Sequence, residues 1–307
     1  MISCKVKIRS SSMKTRQQNQ LVERVKVYFS LTKPKVWWLL VFTGLGGSIT
    51  AGGVNDLTTT LMAAITIALG SAGSESVANY LEKDIDAIMA RTRRRPLPQG
   101  LIKPEWKALV FGCVLIILSL ALAYAINLLT FIFMALGIFD YVVVYVMYSK
   151  RRTPLNIILG SFAGGAPVMA GYVAISNTLT AEAWILAALV VLWIPSHVWS
   201  LALKYRDDYM AANIPMLPVV TSEDKAIRCI ASTAILMVLF SAVLYFLYPH
   251  KYGGIYVAAA ALTGALLTYL SMELMNKPTR DNAWRLFKFT SPHLAILFLA
   301  IIVDSII

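Results

Sequence analysis

The chain has 307 residues, of which 58% are hydrophobic and 14% charged, and its mean hydropathy is +0.67. That composition excludes an ordinary soluble domain and defines a polytopic membrane protein. The net charge of +12 would suggest a nucleic-acid partner in a soluble protein, but here its placement along the chain carries the information.

Residues 1–26 are polar, basic and rich in Ser and Gln, with no acid before Glu23. They are predicted to be a disordered tail. A mitochondrial transit peptide shares this composition, and Met13 is an alternative start. Residues 27–307 are expected to form one transmembrane domain. Its apolar stretches, each long enough to cross about 30 Å of hydrocarbon, are Val36–Gly53, Leu57–Tyr80, Glu105–Ile126, Leu128–Ser149, Ile157–Ser176, Ala183–Leu203, Ala226–Tyr248, Gly254–Met275 and Leu286–Ile307. The predicted fold is therefore all-α with about nine transmembrane helices.

Lys and Arg are placed asymmetrically. The tail and the connections that follow spans two, four, six and eight hold 27 of the 28, and Lys251 is the exception. The amino terminus is expected on the cytoplasmic side, or the matrix side of a mitochondrion, and the carboxyl terminus outside. A prokaryotic plasma membrane is the expected location, with the mitochondrial inner membrane as the alternative.

From the end of the second span into the connection after it, Glu75, Asn79, Glu82 and Asp86 follow a 4, 3, 4 spacing, which puts four polar groups on one helix face. Asp84 lies off that face and is expected in a salt bridge. The stripe runs into RTRRRPLPQG, Arg91 to Gly100. Carboxylates near a span need a partner or a purpose. Mid-span Asp140 is expected to pair with a tyrosine or a lysine.

The fourth connection carries Lys150, Arg151 and Arg152, followed by Gly160, Gly164, Gly165 and Gly171, which allow close helix packing. After span six, His197, Ser200, Lys204 and Asp208 follow a 3, 4, 4 spacing, with Asp207 adjacent. Two carboxylate clusters with nearby guanidinium and ammonium groups suit a magnesium-bound diphosphate. Cys4, Cys113 and Cys229 are scattered without metal-ligand spacing, and no P-loop, GxGxxG, HExxH or GxSxG motif occurs.

From LTKPKVWW (Leu31 to Trp38) to LFKFTSPHLAILFLAIIVD (Leu286 to Asp304), the chain resembles the UbiA superfamily of intramembrane prenyltransferases. That superfamily's first motif is NDxxDxxxD followed by RTxxRPLPxG. The second half matches fully at Arg91, Thr92, Arg95, Pro96, Leu97, Pro98 and Gly100, whereas Ala78, Asn79 and Glu82 depart from the acid half and Asp86 keeps it. SKRRTPLNIILGSFAGGAP, SHVWSLALKYRDDY and AANIPMLPVV are most similar to the heme-farnesylating branch, the protoheme IX farnesyltransferases or heme O synthases.

The resemblance implies a helical bundle around a central cavity and transfer of farnesyl from farnesyl diphosphate to a vinyl group of heme B, with addition of water. It implies Mg²⁺ held by Asn79, Glu82, Asp86, Asp207 and Asp208. Asn79, Arg91, Arg95, Lys150, Arg151 and Lys204 would bind the diphosphate, with Asp86, Asp208, Lys204 and Arg91 as the catalytic set. His197 would orient the heme, Tyr141, Tyr145 and Tyr148 are candidates to shield a developing cation, and His293 is structural. Partners beyond the bilayer would be heme A synthase or oxidase assembly proteins, with no nucleic acid. Other acceptors, a quinone precursor or an archaeal lipid, remain open, as does an inactive assembly factor. An ion-coupled transporter predicts polar residues on both sides of the bilayer, and the outer connections are nearly bare of charge.

Overall fold

The computed structural model describes residues 20–307. Residues 1–19, with Cys4, Met13 and most of the tail expected to be disordered, lie outside the described residues. The expectation of disorder does not extend to residue 26, because α1 covers residues 20–31. Its Val27, Tyr28 and Leu31 pack against Leu97, Ile102 and Ala108, and the Tyr28 ring stands 5.1 Å from that of Phe111. Residues 20–26 are exposed, and the helix is anchored by the apolar residues of its second half.

Eight described helices are long and apolar enough to cross a membrane, and the protein is an integral multi-pass membrane protein. Six of the eight crossings are α3 (Leu57–Leu81), α5 (Trp106–Ile126), α9 (Ala181–Lys204), α12 (Glu223–Leu247), α13 (Gly254–Asn276) and α14 (Arg280–Asp304). The other two are composite. One joins α6 (Leu128–Phe139) to a π-helical segment (Asp140–Ser149), and the other joins α7 (Asn156–Leu159) to α8 (Phe162–Ser176). The remaining expected span is α2 (Pro34–Thr50), whose 17 residues reach about 25 Å at 1.5 Å per residue. Short helices α4 (Lys83–Ile88), α10 (Arg206–Ala211) and α11 (Leu217–Val220) follow spans two and six.

The helices form two groups. In the first, α2, α3, α5, α6 and α8 contact one another in a closed circuit, and in the second α9, α12, α13 and α14 do the same. Contacts of α8 with α9 and of α2 with α14 join them. Within the first group, helices meet where glycine removes side chains. Gly44 and Gly47 of α2 face Gly171 and Val168 of α8 so closely that a Cβ on Gly171 would run into the Gly44 carbonyl. Ser48 Oγ of α2 donates to the Gly171 carbonyl at 2.9 Å. Gly73 and Gly112 make the same approach between α3 and α5, where a Cβ on either would lie 2.8 Å from the other's carbonyl oxygen. Close backbone approach of this kind is the main source of helix association where no hydrophobic drive separates protein from lipid.

One end of the bundle carries α1, α4, α7, α10 and α11, and is called the motif end here. At the far end the few charges near the outer connections are satisfied by partners. Glu182 accepts from Tyr252 Oη at 2.6 Å, from Tyr172 Oη at 3.0 Å and from Lys251 Nζ at 3.0 Å. Asp304 accepts from the backbone N–H of Gly253 and Tyr256 at 2.7 and 2.9 Å. Asp140 likewise finds neither a tyrosine nor a lysine. Its carboxylate accepts from the Ala163 N–H at 2.8 Å, at the first turn of α8, where free amides and the helix dipole both favour an anion.

Substituting Gly171 by Ala is expected to lower stability in detergent by roughly 1–3 kcal/mol through overpacking against fixed backbone. Gly254→Ala, where a Cβ meets nothing within 4 Å, should be near neutral. Thermal unfolding of both variants checks this, and equal losses would contradict the packing argument.

Candidate active site

The acidic stripe survives a break in the helix beneath it. Glu82 closes α3 and opens α4, with φ −106° and ψ 9°. Glu75, Asn79, Glu82 and Asp86 are nonetheless only 7, 2, 4 and 3% exposed. A buried carboxylate without a partner is strongly destabilising, and each of the three acids has a cation. Lys33 Nζ donates to Glu75 at 2.6 Å, Lys150 Nζ pairs with Glu82, and Arg95 Nη1 donates to both Asp86 oxygens at 2.8 and 2.7 Å. Asn79 Nδ2 donates to the carbonyls of Leu31 and Glu75 at 2.7 and 3.0 Å, and among the described residues nothing donates to its Oδ1.

These cations come from three separate places in the chain. Lys33 sits between α1 and α2 in the left-handed region, φ 48°, Lys150 follows the π segment, and Arg95 belongs to the loop that ends at Gly100. That loop turns at Gly100, whose φ of 66° a side chain would oppose. Burial alone would raise the Glu82 carboxyl above its ordinary 4.5, yet Lys150, Lys33 and Arg95 together hold it below. Burial would likewise depress Lys150 and Arg95, and the carboxylates beside them raise both instead. Glu82, Lys150 and Arg95 are therefore charged at neutral pH.

The second acid motif reaches the first through Asp208. Its carboxylate accepts from the backbone N–H groups of Ala90 and Arg91 at 3.3 and 3.1 Å, so α10 is tied directly to the loop that carries Arg95. The Arg91 guanidinium lies over the Tyr205 ring at 5.4 Å and within 3.4 Å of Tyr209 Oη.

Three predicted site residues face elsewhere. Asp207 is 70% exposed and binds Arg280 of α14 through both oxygens, at 2.6 and 2.9 Å. Neighbours on a helix diverge by about 100°, so α10 cannot aim both aspartates at one point. Lys204 pairs with Asp281 at 2.9 Å. Arg151 makes a two-pronged contact with Asp84, 2.8 Å on each oxygen, and this is the salt bridge expected for Asp84. Of the three tyrosines, Tyr141 and Tyr145 stand 5.8 Å apart on the π segment, with Lys150 Nζ 5.4 Å from the Tyr145 centroid. Tyr148 turns outward and stacks with Arg152.

His197 lies roughly two helical turns, about 10 Å, before Lys204 on α9. Its ring is held between Trp193 and Phe287, each 4.3 Å away, and its Nδ1 is 2.7 Å from Thr290 Oγ1. The stack continues through Trp284 to Tyr205, and so to Arg91. Lys33, Phe287 and Thr290 lie in segments that resemble the family, but no spacing of polar residues singles them out. Lys33 could have been suspected only from its place directly before Pro34 at the mouth of a span.

Glu82, Asp86, Asp208 and Asn79 Oδ1 are hard oxygen donors of the kind Mg²⁺ takes. Among the described residues no three His, Cys, Asp or Glu side chains are gathered into a ready-made metal cage. Mg²⁺ rarely uses such cages and is bound by one or two carboxylates together with substrate phosphates, so the donor set fits an ion that arrives with a diphosphate.

The bundle and its acid and arginine motifs define an intramembrane prenyltransferase. A family model described as the UbiA prenyltransferase family matches residues 39–301, and the chain belongs to that family. A protoheme IX farnesyltransferase of Thermoplasma volcanium is 44% identical over 92% of this chain and 99% of its own length. Protoheme IX farnesyltransferase 2 of Cenarchaeum symbiosum is 41% identical over 94% and 98%. Among solved structures, one described for digeranylgeranylglyceryl phosphate synthase superposes with a TM-score of 0.76 at 23% identity, covering 92% of this chain and 99% of that one. A UbiA homolog from Archaeoglobus fulgidus bound to GPP and Mg²⁺ gives 0.65 at 18% identity, covering 90% and 99%. At these identities the structural likeness establishes the fold.

Glu82 yields a pH test. Its carboxyl is held below 4.5 in the folded state, so the stability it contributes is fully present above that value and is lost as pH falls through the lowered one. Glu82→Gln should therefore unfold at a lower temperature than the parent at neutral pH, with the gap narrowing only below 4.5. A gap unchanged down to strongly acidic pH would show that the ion pair is not its source.

Proposed function

We propose that this protein transfers a farnesyl group from farnesyl diphosphate to a vinyl group of heme B, with addition of water, giving the hydroxyethylfarnesyl side chain of heme O. The observation that carries the acceptor is the set of curated relatives named protoheme IX farnesyltransferase, 37–44% identical over at least 90% of the chain. The cluster of Lys33, Arg95 and Lys150 against buried carboxylates supports the diphosphate half. The His197 stack supports the acceptor half.

An allylic diphosphate reacts when its carbon–oxygen bond breaks and the electron pair leaves with the diphosphate. No protein nucleophile is needed if that charge is neutralised. Lys150 and Arg95 are in place to do so, and Lys33 is a third cation beside them. Arg91 approaches from the Asp208 side. Glu82, Asp86 and Asp208 with Asn79 Oδ1 would hold Mg²⁺, which would supply Lewis-acid neutralisation of the leaving group. Tyr141 and Tyr145 present π faces to the allylic cation. The vinyl group donates its electrons to that cation, and water adds to the carbon left electron-poor, releasing one proton. Asp207, Lys204 and Arg151 brace the helices around the site. The motif end faces the cytoplasm or its equivalent, as the placement of Lys and Arg requires.

The deciding experiment incubates purified protein with heme B and prenyl diphosphates of several lengths, with and without EDTA, and analyses products by mass spectrometry. Farnesylated heme formed only with Mg²⁺ is expected. Product formed on a quinone precursor or a glycerol lipid instead would overturn the acceptor. Asp208→Asn and Asp86→Asn should each lose roughly 10²–10³-fold in kcat, the scale of removing one preorganised electrostatic group. Asp207→Asn should stay within a few-fold of the parent, and a loss equal to that of Asp208→Asn would return Asp207 to the metal site.

A further inference from the structure

His197 and Thr290 meet where α9 packs on α14. The Thr290 hydroxyl donates to the Phe287 carbonyl at 2.8 Å within its own helix. A hydroxyl has one proton, so toward His197 Nδ1, 2.7 Å away, it can only accept. Nδ1 therefore carries the ring proton, and Nε2 keeps its lone pair.

The ring is also fixed in orientation. Trp193 and Phe287 stack on its two faces, and Trp193 Nε1–H donates to the Thr290 carbonyl at 2.9 Å. Fully buried Thr290 thus holds the imidazole through its side chain and one flanking ring through its main chain.

His293 provides a contrast inside the same molecule. Its Nδ1 is 2.8 Å from Thr263 Oγ1, which donates to Ala259 at 2.6 Å, so its tautomer is set in the same way. The His293 Nε2, however, is sealed in the core with no partner, whereas the Nε2 of half-buried His197 has no partner and is not sealed.

We propose that Thr290 is a positioning residue that presents His197 Nε2, in its metal-binding tautomer, to the iron of the incoming porphyrin. The inference rests on heme B being the acceptor. Imidazoles that bind iron generally have the other ring nitrogen fixed by a neighbour, and losing that neighbour costs about 10–100-fold in affinity. The flanking rings leave the Nε2 edge as the approach, which suits axial ligation in the plane of the imidazole.

The test titrates ferric heme into purified protein in detergent and records the absorption spectrum. The parent should give a histidine-ligated spectrum. His197→Ala should lose it and regain it with added imidazole. Thr290→Val should bind heme at least tenfold more weakly with a mixed spectrum, and Thr290→Ser should restore both. Thermal stabilisation by farnesyl diphosphate with Mg²⁺ should be the same in all variants, which separates this role from general unfolding. A Thr290→Val protein with the parent's spectrum and affinity, or a Thr290→Ser protein that fails to recover, overturns the proposal. If the parent makes farnesylated heme without a histidine-ligated spectrum, the proposal fails and the acceptor stands. If the parent neither binds nor modifies heme, both fail.

Discussion

Three buried carboxylates, each neutralised by a cation from a distant part of the chain, set the architecture of the motif end. Glu75, Glu82 and Asp86 all belong to α3 and α4. Lys33, Lys150 and Arg95 reach them from the α1–α2 junction, the end of the π segment and the arginine loop. Removing any one partner would leave a charge stranded away from water, so these pairs hold four pieces of backbone in register without a single regular tertiary motif. In the proposed reaction, phosphate oxygens would compete for these cations, and the carboxylates released would be donors for a divalent ion.

The irregular backbone is concentrated at the same end. α3 breaks at Glu82, α6 continues as a π helix from Asp140, the fifth span is interrupted at Gly160 and Ser161, and α9 gives way to α10 at Tyr205. Non-helical backbone at membrane depth is tolerated only where protein surrounds it, and two of these breaks re-aim polar side chains. The break at Tyr205 sends Asp208 to the amides of Ala90 and Arg91 while Asp207 turns to Arg280. The π segment keeps the Tyr141 and Tyr145 rings side by side, tilted to one another, and leaves Lys150 free to reach Glu82.

The far end is polar but closed. Glu182 is satisfied by two tyrosines and Lys251, so this end clamps the helices and, among the described residues, offers no second line of exposed acids for an ion path. That asymmetry suits an enzyme loaded from one side better than a transporter.

Much of this was legible in the residues. Hydropathy alone gives the spans, because hydrocarbon tolerates no other element of that length. The 4, 3, 4 spacing gives the buried stripe, and the Arg91–Gly100 motif with its heme-branch neighbours identifies the family. Which charges meet was not legible. Asp207 and Asp208 are chemically identical neighbours, and only a helix direction separates a surface brace from a tie to the arginine loop. Lys33 looks like any topogenic cation until the chain folds back on Glu75, and Thr290 like any helical threonine until α9 lies against it. Local pattern determines which face of a helix is polar. Partners many residues apart are chosen by how the helices pack, and that choice exists only in three dimensions.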